Sequence, residues 1–206
     1  MRTRRLYSCN TSFLDLLFNM LLAFTALFVL SFCMVNENKD KSKSSVEVKA
    51  EYIITMSWPE DMDNDIDLYV EDPIGNLCFF RRREEGLMHL DRDDIGFRND
   101  FVETPSGKTK YPYNREIITL RGFIGGEYCV NAHAFKKNDP RPCQVTVQVD
   151  KLNPTVKTIL VNSVTLLENG QEKTVMRFRL DSAGGLLSSS TLDRSLISEA
   201  SRTAGQ

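Results

Sequence analysis

An uncharged run near the N-terminus constrains the fold of this chain more than any other sequence feature. The twenty residues from Leu16 to Val35 include no Asp, Glu, Lys or Arg. Because an α-helix rises about 1.5 Å per residue, this run would span roughly the 30 Å hydrocarbon core of a bilayer. The sequence therefore predicts one transmembrane helix over residues 13–35.

A cleaved signal peptide is the alternative explanation of this run. The apolar region of a signal peptide is usually roughly 7–15 residues long and ends at a small-x-small cleavage site. Here the run is longer and its end, residues 31–35, contains no Ala-x-Ala. A lipoprotein signal is disfavoured too, because Phe32 stands before Cys33 where a small residue is needed. We expect the helix to remain part of the mature protein.

The predicted helix divides the chain into two sides of a membrane. Residues 1–12 form a short basic arm, and residues 36–46 form a polar linker. Arginines precede the helix and lysines follow it, so the positive-inside count is nearly tied. The charged amino end and the ease with which a large C-terminal domain translocates favour a cytoplasmic N-terminus and an external C-terminal domain.

Residues 47–181 have the pattern of a β-rich domain. Apolar residues alternate with mostly polar ones between Val46 and Trp58, which is typical of a half-buried strand. Turn residues separate the further candidate strands, which are Ile66–Glu71, Leu77–Phe80, Ile117–Arg121, Glu127–Phe135, Gln144–Val149, Val156–Val161 and Thr174–Leu180. Seven to nine strands without an intervening helix predict an antiparallel immunoglobulin-like sandwich. Residues 182–206, rich in Ser, Gly and Ala, are predicted to be a flexible tail.

Composition argues against several classes of function. A net charge of −2 and the lack of a dense basic stripe disfavour a nucleic-acid partner. The two histidines, His89 and His133, are not accompanied by a nucleophile motif, so we do not expect an enzyme. Three cysteines, Cys78, Cys129 and Cys143, fall in the external domain, where a disulfide is permitted but the pairing is open.

Asp15 is the residue of greatest functional interest in the helix. A carboxylate in a membrane helix costs about 2.5–3.5 kcal/mol at the bilayer centre and less near the interface, and such residues usually mark ion or proton pathways. The alternative is that Asp15 lies at headgroup depth and complements the positive end of the helix dipole. Its position alone does not decide between these interpretations.

The N-terminal arrangement resembles the B subunits of ion-driven motors, the ExbD/TolR and MotB families. The resemblance covers roughly residues 1–36 and consists of a basic arm, Phe13-Leu14-Asp15, and the apolar run that follows. It implies that Asp15 carries a translocated proton or sodium ion, and that two copies sit within a pentamer of a multi-span A subunit in a bacterial inner membrane. The chain departs from these families after the helix, where neither an OmpA-like nor an ExbD-type periplasmic domain is recognisable. The cargo of such a motor therefore stays open.

Asn19 and Thr25 are the other residues predicted to belong to an ion route. Asn19 follows Asp15 by four residues and therefore lies on the same helix face, and Thr25 and Ala26 continue roughly along that side. The alternative is that these small or polar residues serve only helix–helix packing. Neither residue distinguishes sodium from protons.

An acidic segment in the external domain is a candidate cation site. Trp58 through Asn76 resembles a family of secreted bacterial β-sandwich domains with an Asp-x-Asp-Leu motif, and the later Leu90-Asp91-Arg92-Asp93-Asp94 fits that family's second acidic segment. The resemblance implies a binding or structural module without catalysis. The carboxylates suited to Ca²⁺ are Asp61, Asp63, Asp65, Asp67 and Asp93. The alternative is that these aspartates cap turns and end strands without a metal. A second function class follows, a membrane-anchored binding or structural protein whose helix is only a tether and whose extracytoplasmic partner is unknown.

Overall fold

The computed structural model describes residues 10–41, 49–98, 100–111 and 113–198. The chain divides into two compact units, Met1–Val48 and Lys49–Gln206. Most of the predicted basic arm, residues 1–9, and residues 42–46 of the predicted linker lie outside the described residues. Each unit is considered in turn.

The first unit contains one helix, α1, over Asn10–Lys41. Within it, Thr11–Phe32 is a stretch of 22 residues that is long and apolar enough to cross a membrane, since it is about 33 Å in length. The helix also covers residues 36–41, where the sequence predicted the start of a linker. Those residues include no Gly or Pro that would end a helix, so the polar composition alone does not stop it.

The second unit is built of strands. Their bounds are β1 Tyr52–Trp58, β2 Asn64–Glu71, β3 Leu77–Cys78, β4 Glu84–Glu85, β5 Met88–Arg92, β6 Phe101–Thr104, β7 Gly107–Lys110, β8 Asn114–Leu120, β9 Gly126–Lys137, β10 Cys143–Lys151, β11 Lys157–Leu166, β12 Glu172–Leu180 and β13 Leu186–Ser190. A short 3₁₀ turn, Gly96–Arg98, follows β5.

These strands form two packed antiparallel sheets and a separate hairpin. One sheet has six strands in the order β11-β10-β1-β8-β5-β4, the other has five in the order β13-β12-β9-β2-β3, and β6 pairs with β7. Inward-facing side chains of both sheets meet in a single core, for example Tyr52 and Ile54 from β1 and Ile66 and Leu68 from β2. The predicted architecture, one N-terminal helix followed by an antiparallel β-sandwich, is confirmed.

The structure corrects the predicted flexible tail over residues 182–198, the part of residues 182–206 that it describes. The chain turns at Asp181, whose Oδ1 accepts hydrogen bonds from the backbone N–H groups of Ala183 and Gly185 at 2.7 Å each. It then returns as β13 to pair with β12. Beyond β13, Leu196 is fully buried. The Ser- and Gly-rich composition predicted disorder, but the segment contains a tight turn, an edge strand and a buried leucine. Residues 199–206 lie outside the described part of the chain.

Candidate functional site

Asp15 is the sixth residue of α1 and the one charged residue in the sequence Thr11–Phe32. The helix places Asn19 one turn further along on the same side, as the sequence predicted. It places Thr25 about 80° around the helix from Asp15, whereas Ala26 lies within about 20° of it. The three predicted ion-route residues therefore do not share one narrow stripe.

The hydroxyl of Thr25 already has a hydrogen-bond partner in its own helix. Its Oγ1 donates to the carbonyl oxygen of Leu22 at 2.9 Å, the back-bonding that Ser and Thr often adopt in helices. This bond satisfies the donor of Thr25 without a ligand. Of the predicted residues, Asp15 and Asn19 remain as the polar pair on one face.

Every side chain from Thr11 to Phe32 is exposed. The large apolar ones range from 47% exposed at Leu17 to 70% exposed at Phe24. An apolar surface of this size is long enough to cross a membrane and is typical of segments that lie in lipid or against other helices. The polar pair of Asp15 and Asn19 would then be enclosed by that surrounding.

The second candidate site is an acidic cluster in the β-sandwich. Asp67 in β2, Asp93 just after β5 and Glu116 in β8 each place one carboxylate oxygen within 4.8 Å of the other two. Calcium binds oxygen ligands at about 2.3–2.6 Å, so opposite ligands of one ion lie roughly 5 Å apart. The three oxygens are close enough to serve a single cation.

Glu116 is fixed by the fold rather than by a loop. It lies on the inward-facing side of β8 together with Ile118 and Leu120, and it is only 1% exposed. Its Oε2 accepts a hydrogen bond from the backbone N–H of Leu68 at 2.7 Å, and its Oε1 accepts one from that of Asp94 at 3.3 Å. This carboxylate therefore joins β2 of the five-stranded sheet to the loop after β5 of the six-stranded sheet.

Burial makes full ionisation of the cluster unfavourable. Burial, and to a lesser extent the neighbouring Asp67 carboxylate, raises the pKa of Glu116 well above its usual range, against the opposing backbone N–H groups of Leu68 and Asp94. Burial also raises the pKa of Asp67, while its hydrogen bond with His133 opposes that shift. Such a cluster gains stability from a shared proton or from a bound cation.

Two basic side chains already contact the cluster. The Nδ1 atom of His133 lies 3.3 Å from Oδ2 of Asp67, and Nη1 of Arg83 lies 3.6 Å from Oδ2 of Asp93. These contacts, together with the hydrogen bonds of Glu116, give the cluster a structural role that needs no metal. They reduce the negative charge available to a cation without removing it.

The structure brings together two of the five predicted calcium ligands, Asp67 and Asp93. Asp61 instead accepts a hydrogen bond from Nη1 of Arg141 at 2.9 Å. Asp63 accepts bonds from the backbone N–H of Phe97 at 2.9 Å and from Nδ2 of Asn138 at 3.2 Å. Asp61 and Asp63 are thus occupied in other contacts. The prediction that both bind the ion is not supported by their positions.

Asp65 lines a cavity of about 270 Å³ beside the acidic cluster. The lining also includes Asp63, Ile95, Phe97, Arg98, Lys136 and Asn138. Burial, and then the nearby Asp67 carboxylate, raises the pKa of Asp65 to about 6. Asp65 therefore belongs to the same electrostatic neighbourhood as the cluster, although it is not one of the three converging ligands.

Sequence reasoning missed Glu116. The predicted strand began at Ile117, three residues after the start of β8 at Asn114, so Glu116 was not recognised as an inward-facing residue. The alternation of Glu116, Ile118 and Leu120 contains the necessary information, because a carboxylate on an apolar strand face requires a partner. Its closeness to Asp67 arises from the packing of two sheets and is not visible in the sequence.

The three cysteines of the sandwich are free and buried. Burial raises the pKa of the Cys78 thiol to about 12, which keeps it in the unreactive protonated form at neutral pH. Burial also raises the pKa values of Cys129 and Cys143. The permitted disulfide is therefore not formed among the described residues.

No family model, curated protein or solved structure matches this chain. The functional argument consequently depends on the chemistry of the two sites. The helix offers a carboxylate and an amide on one face of an apolar span. The sandwich offers three converging carboxylates between two sheets.

Proposed function

We propose that this chain is a B-type subunit, similar to MotB and ExbD, of a proton- or sodium-driven motor in a bacterial inner membrane. One observation carries the proposal: Asp15 is the sole charged residue of an apolar span whose side chains are all exposed. A carboxylate in such a span is costly unless it has a task or a partner. The exposed apolar surface supports a multi-span partner around it.

In this function Asp15 binds the transported ion and then releases it. The carboxylate oxygens accept a proton or coordinate a sodium ion that enters from one side, and the amide of Asn19 on the same face offers a further oxygen ligand. Two copies of α1 lie within a pentameric A subunit and their Asp15 residues act in turn. The resulting movement of the helices is transmitted to the periplasmic β-sandwich.

A tethered binding or structural protein is the second candidate function. Its supporting observation is that Asp15 lies in the second turn of α1, close to the positive end of the helix dipole, where a carboxylate is stabilised without any ion transport. In that case α1 is a passive anchor and the sandwich alone binds a partner. The two functions make opposite predictions for Asp15.

The decisive variant is Asp15→Asn, which preserves size and polarity but cannot carry a proton. The motor function predicts loss of ion flux with unchanged membrane abundance, measured in vesicles that contain the chain and its A subunit. Asp40→Asn is the matched control, because it makes the same chemical change beyond the apolar span Thr11–Phe32. Wild-type flux in Asp15→Asn would exclude the motor function and leave the tether.

The transported ion can be identified in the same vesicles. A sodium motor responds to a sodium gradient at constant pH, whereas a proton motor responds to a pH gradient in sodium-free buffer. The assembly is tested by cysteine crosslinking along residues 16–35 with the A subunit present. A chain that stays monomeric under these conditions would contradict the two-copy arrangement.

A further inference from the structure

The outer edge of β11 is a long strand edge without a partner. β11 is the terminal strand of the six-stranded sheet and pairs on its inner side with β10. Among the described residues, no backbone group of 157–166 takes part in a hydrogen bond outside that pairing. Alternate N–H and C=O groups along this ten-residue strand therefore face outward, ready to pair with another strand.

The pairing of β10 with β11 has one irregularity, at Ile159, and beyond it the edge over Leu160–Leu166 lacks the protection that proteins usually give to exposed strands. Natural edges are kept short, charged or interrupted by proline or a bulge that turns them away. The nine residues from Thr158 to Leu166 are uncharged and are mostly β-branched or apolar. By contrast, the opposite edge of the same sheet, β4, consists of two glutamates. The difference between the charged β4 edge and the uncharged β11 edge indicates that another strand covers the β11 edge in the assembled protein.

We propose that β11 pairs with β11 of a second copy of this chain, in antiparallel orientation, and so joins the two six-stranded sheets into one. The occupant is a second copy because the strand is complementary to itself: turned end for end, it meets uncharged side chains along Thr158–Leu166 and no like charges oppose each other. This inference rests on the proposed function, because that function requires two copies of the chain to lie side by side. It adds the surface through which their sandwiches join.

The faces of the sheet determine the register. From Leu160 to Leu166, side chains at even positions point toward the core, whereas Val161 and Ser163 point outward and are exposed. In the joined sheet, the core-facing sides of both copies must lie on the same side. A two-fold axis perpendicular to the sheet achieves this when each even-numbered residue of β11 opposes an even-numbered residue of the other copy. The register that also pairs the whole uncharged run is centred on Asn162, which then opposes its own counterpart. Val161 opposes Ser163 of the other copy.

An edge of nine residue pairs is a small interface, so it depends on the membrane anchors. Small interfaces are weak when two proteins meet from solution. Two chains held together by their helices experience an effective concentration that reaches about the millimolar range, which makes a weak contact persistent. Pairing through β11 is therefore expected in the membrane-embedded full chain.

Crosslinking of the full-length protein in native membranes tests the register. In a background of Cys9→Ser and Cys33→Ser, the buried thiols of the sandwich stay unreactive. Asn162→Cys removes the hydrogen bond that Nδ2 of Asn162 donates to the carbonyl oxygen of Val175 at 2.6 Å, and it supplies one half-buried thiol pair at the centre of the edge. We expect a short bis-maleimide to convert most Asn162→Cys chains to dimer. Thr158→Cys is the control, because its counterpart lies eight residues along the strand, about 26 Å away, and it should stay monomeric. Equal yields at both positions would contradict the register.

Charge substitutions on the outer face provide a matched second test that does not depend on crosslinking geometry alone. With Asn162→Cys as reporter, Val161→Lys combined with Ser163→Lys places lysine opposite lysine in both halves of the pair and should abolish the dimer. Val161→Lys combined with Ser163→Glu places lysine opposite glutamate and should preserve it. Both double variants lose the same exposed hydrogen bond between Ser163 and Thr146, so their folds are matched. The same yield in both would overturn the proposal.

Failure of this inference is distinguishable from failure of the motor function. If α1 crosslinks to its copy but Asn162→Cys does not, the edge pairing is wrong and the motor function stands. If Asn162→Cys crosslinks while Asp15→Asn retains full ion flux, the edge pairing stands and the motor function is wrong.

Discussion

Glu116 is a carboxylate in an apolar row of side chains, and its environment explains why it is tolerated. The N–H groups of Leu68 and Asp94 bind both of its oxygens. Leu68 lies in the part of β2 that precedes the short pairing with β3, so its N–H would otherwise lack a strand partner on that side. Glu116 thus accepts the hydrogen bond that a neighbouring strand would otherwise accept from Leu68. Because its carboxylate is buried, a proton or a cation beside it stabilises the cluster.

A cation at the acidic cluster should stabilise the folded sandwich. If Asp67, Asp93 and Glu116 hold Ca²⁺, an ion concentration of a hundred times Kd adds about 2.7 kcal/mol of stability by mass action. We expect a higher melting temperature for the full chain in detergent with calcium than with a chelator. The buried Trp58, the single tryptophan, reports unfolding by fluorescence.

The variants for this measurement separate the cluster from the rest of the acidic segment. Asp93→Asn removes a ligand and should abolish the calcium-dependent shift. Asp61→Asn should retain it, since Asp61 contacts Arg141 instead of the cluster. A melting temperature that is the same in calcium and in chelator would leave the cluster with a structural role alone.

Asp65 makes folding stability depend on pH in an unusual direction. Burial raises its pKa from 3.8 in an unperturbed chain to about 6, so the folded state binds the proton more tightly than the unfolded state. The stabilisation is complete below about pH 3.8 and is lost as the pH rises through about 6. Asp65→Asn, which stays neutral, should therefore raise the melting temperature at pH 7.5 by about 2–4 °C and give no gain near pH 4.

Glu60→Gln is the control for this pH effect. Glu60 is exposed and lies in the connection that leads from β1 to β2, so its neutralisation should leave the melting temperature unchanged at both pH values. A gain for Asp65→Asn that is equal at pH 4 and pH 7.5 would mean that charge at this position is not the cause.

Among the elements, the strands that sequence reasoning recognised are those with alternating apolar residues. The predicted strands correspond to β1, β2, β3 and β8 to β12. Strands β4 to β7 escaped prediction because their residues between 84 and 110 are dominated by charged and small polar side chains, and their pairing depends on the sheet beside them. The acidic cluster was predicted in part for the same reason: Asp67 and Asp93 lie in motifs, but Glu116 joins them only through tertiary packing.

The turn at Asn169-Gly170 shows a second limit of local prediction. An Asn-Gly pair between two strand patterns predicts a hairpin turn, and Gly170 does adopt a positive φ of 77°. However, β11 and β12, on either side of the turn, belong to different sheets. The turn therefore passes the chain from one layer of the sandwich to the other. The residues of the turn specify the reversal of chain direction. Which strand each of β11 and β12 pairs with depends on the packing of the whole core.

The segment after β13 lies across the outer face of the five-stranded sheet. Oε1 of Glu172 accepts hydrogen bonds from the backbone N–H groups of Leu196 at 2.7 Å and Ile197 at 3.2 Å. Nη2 of Arg194 contacts the carboxylate of Glu71 at 2.8 Å. The buried side chain of Leu196 completes a second apolar cluster with Tyr69, Leu77, Phe79 and Cys129. The segment is therefore an integral part of the domain.

Truncation of this anchoring leucine should destabilise the domain. Leu196→Ala removes a fully buried side chain and should cost about 2–5 kcal/mol of unfolding free energy, measured by denaturant titration. Leu192→Ala is the matched control, because Leu192 is 69% exposed and its loss should change stability by less than about 0.5 kcal/mol. Equal effects of the two substitutions would contradict the assigned role of the segment.

For the whole molecule, the proposed topology is measurable, because one helix could span a membrane and the sandwich has no surface thiol among the described residues. Ser188→Cys in the exposed strand β13 should react with an impermeant maleimide added from the periplasmic side. With Cys33→Ser in place, Cys9 should react only after the membrane is permeabilised, because the proposed orientation places it in the cytoplasm. Cys78, Cys129 and Cys143 should stay unlabelled until the protein unfolds, since all three are buried.

The opposite labelling order would reverse the proposed orientation. Cys9 reactive from outside and Ser188→Cys protected would place the sandwich in the cytoplasm, where a periplasmic cargo would be inaccessible. Labelling of the three buried cysteines without denaturant would instead indicate that the sandwich opens under native conditions.

The position of β1 in the six-stranded sheet has a consequence for export. β1 is the first strand of the sandwich in chain order, yet its neighbours are β8 and β10, so Tyr52 pairs with Leu120 on one side and Lys151 on the other. If the sandwich is translocated across the membrane, as the proposed orientation requires, β1 emerges before either neighbour. In that orientation its apolar residues must stay soluble until almost one hundred further residues have followed, so β1 would be the segment that most needs a chaperone on the far side of the membrane.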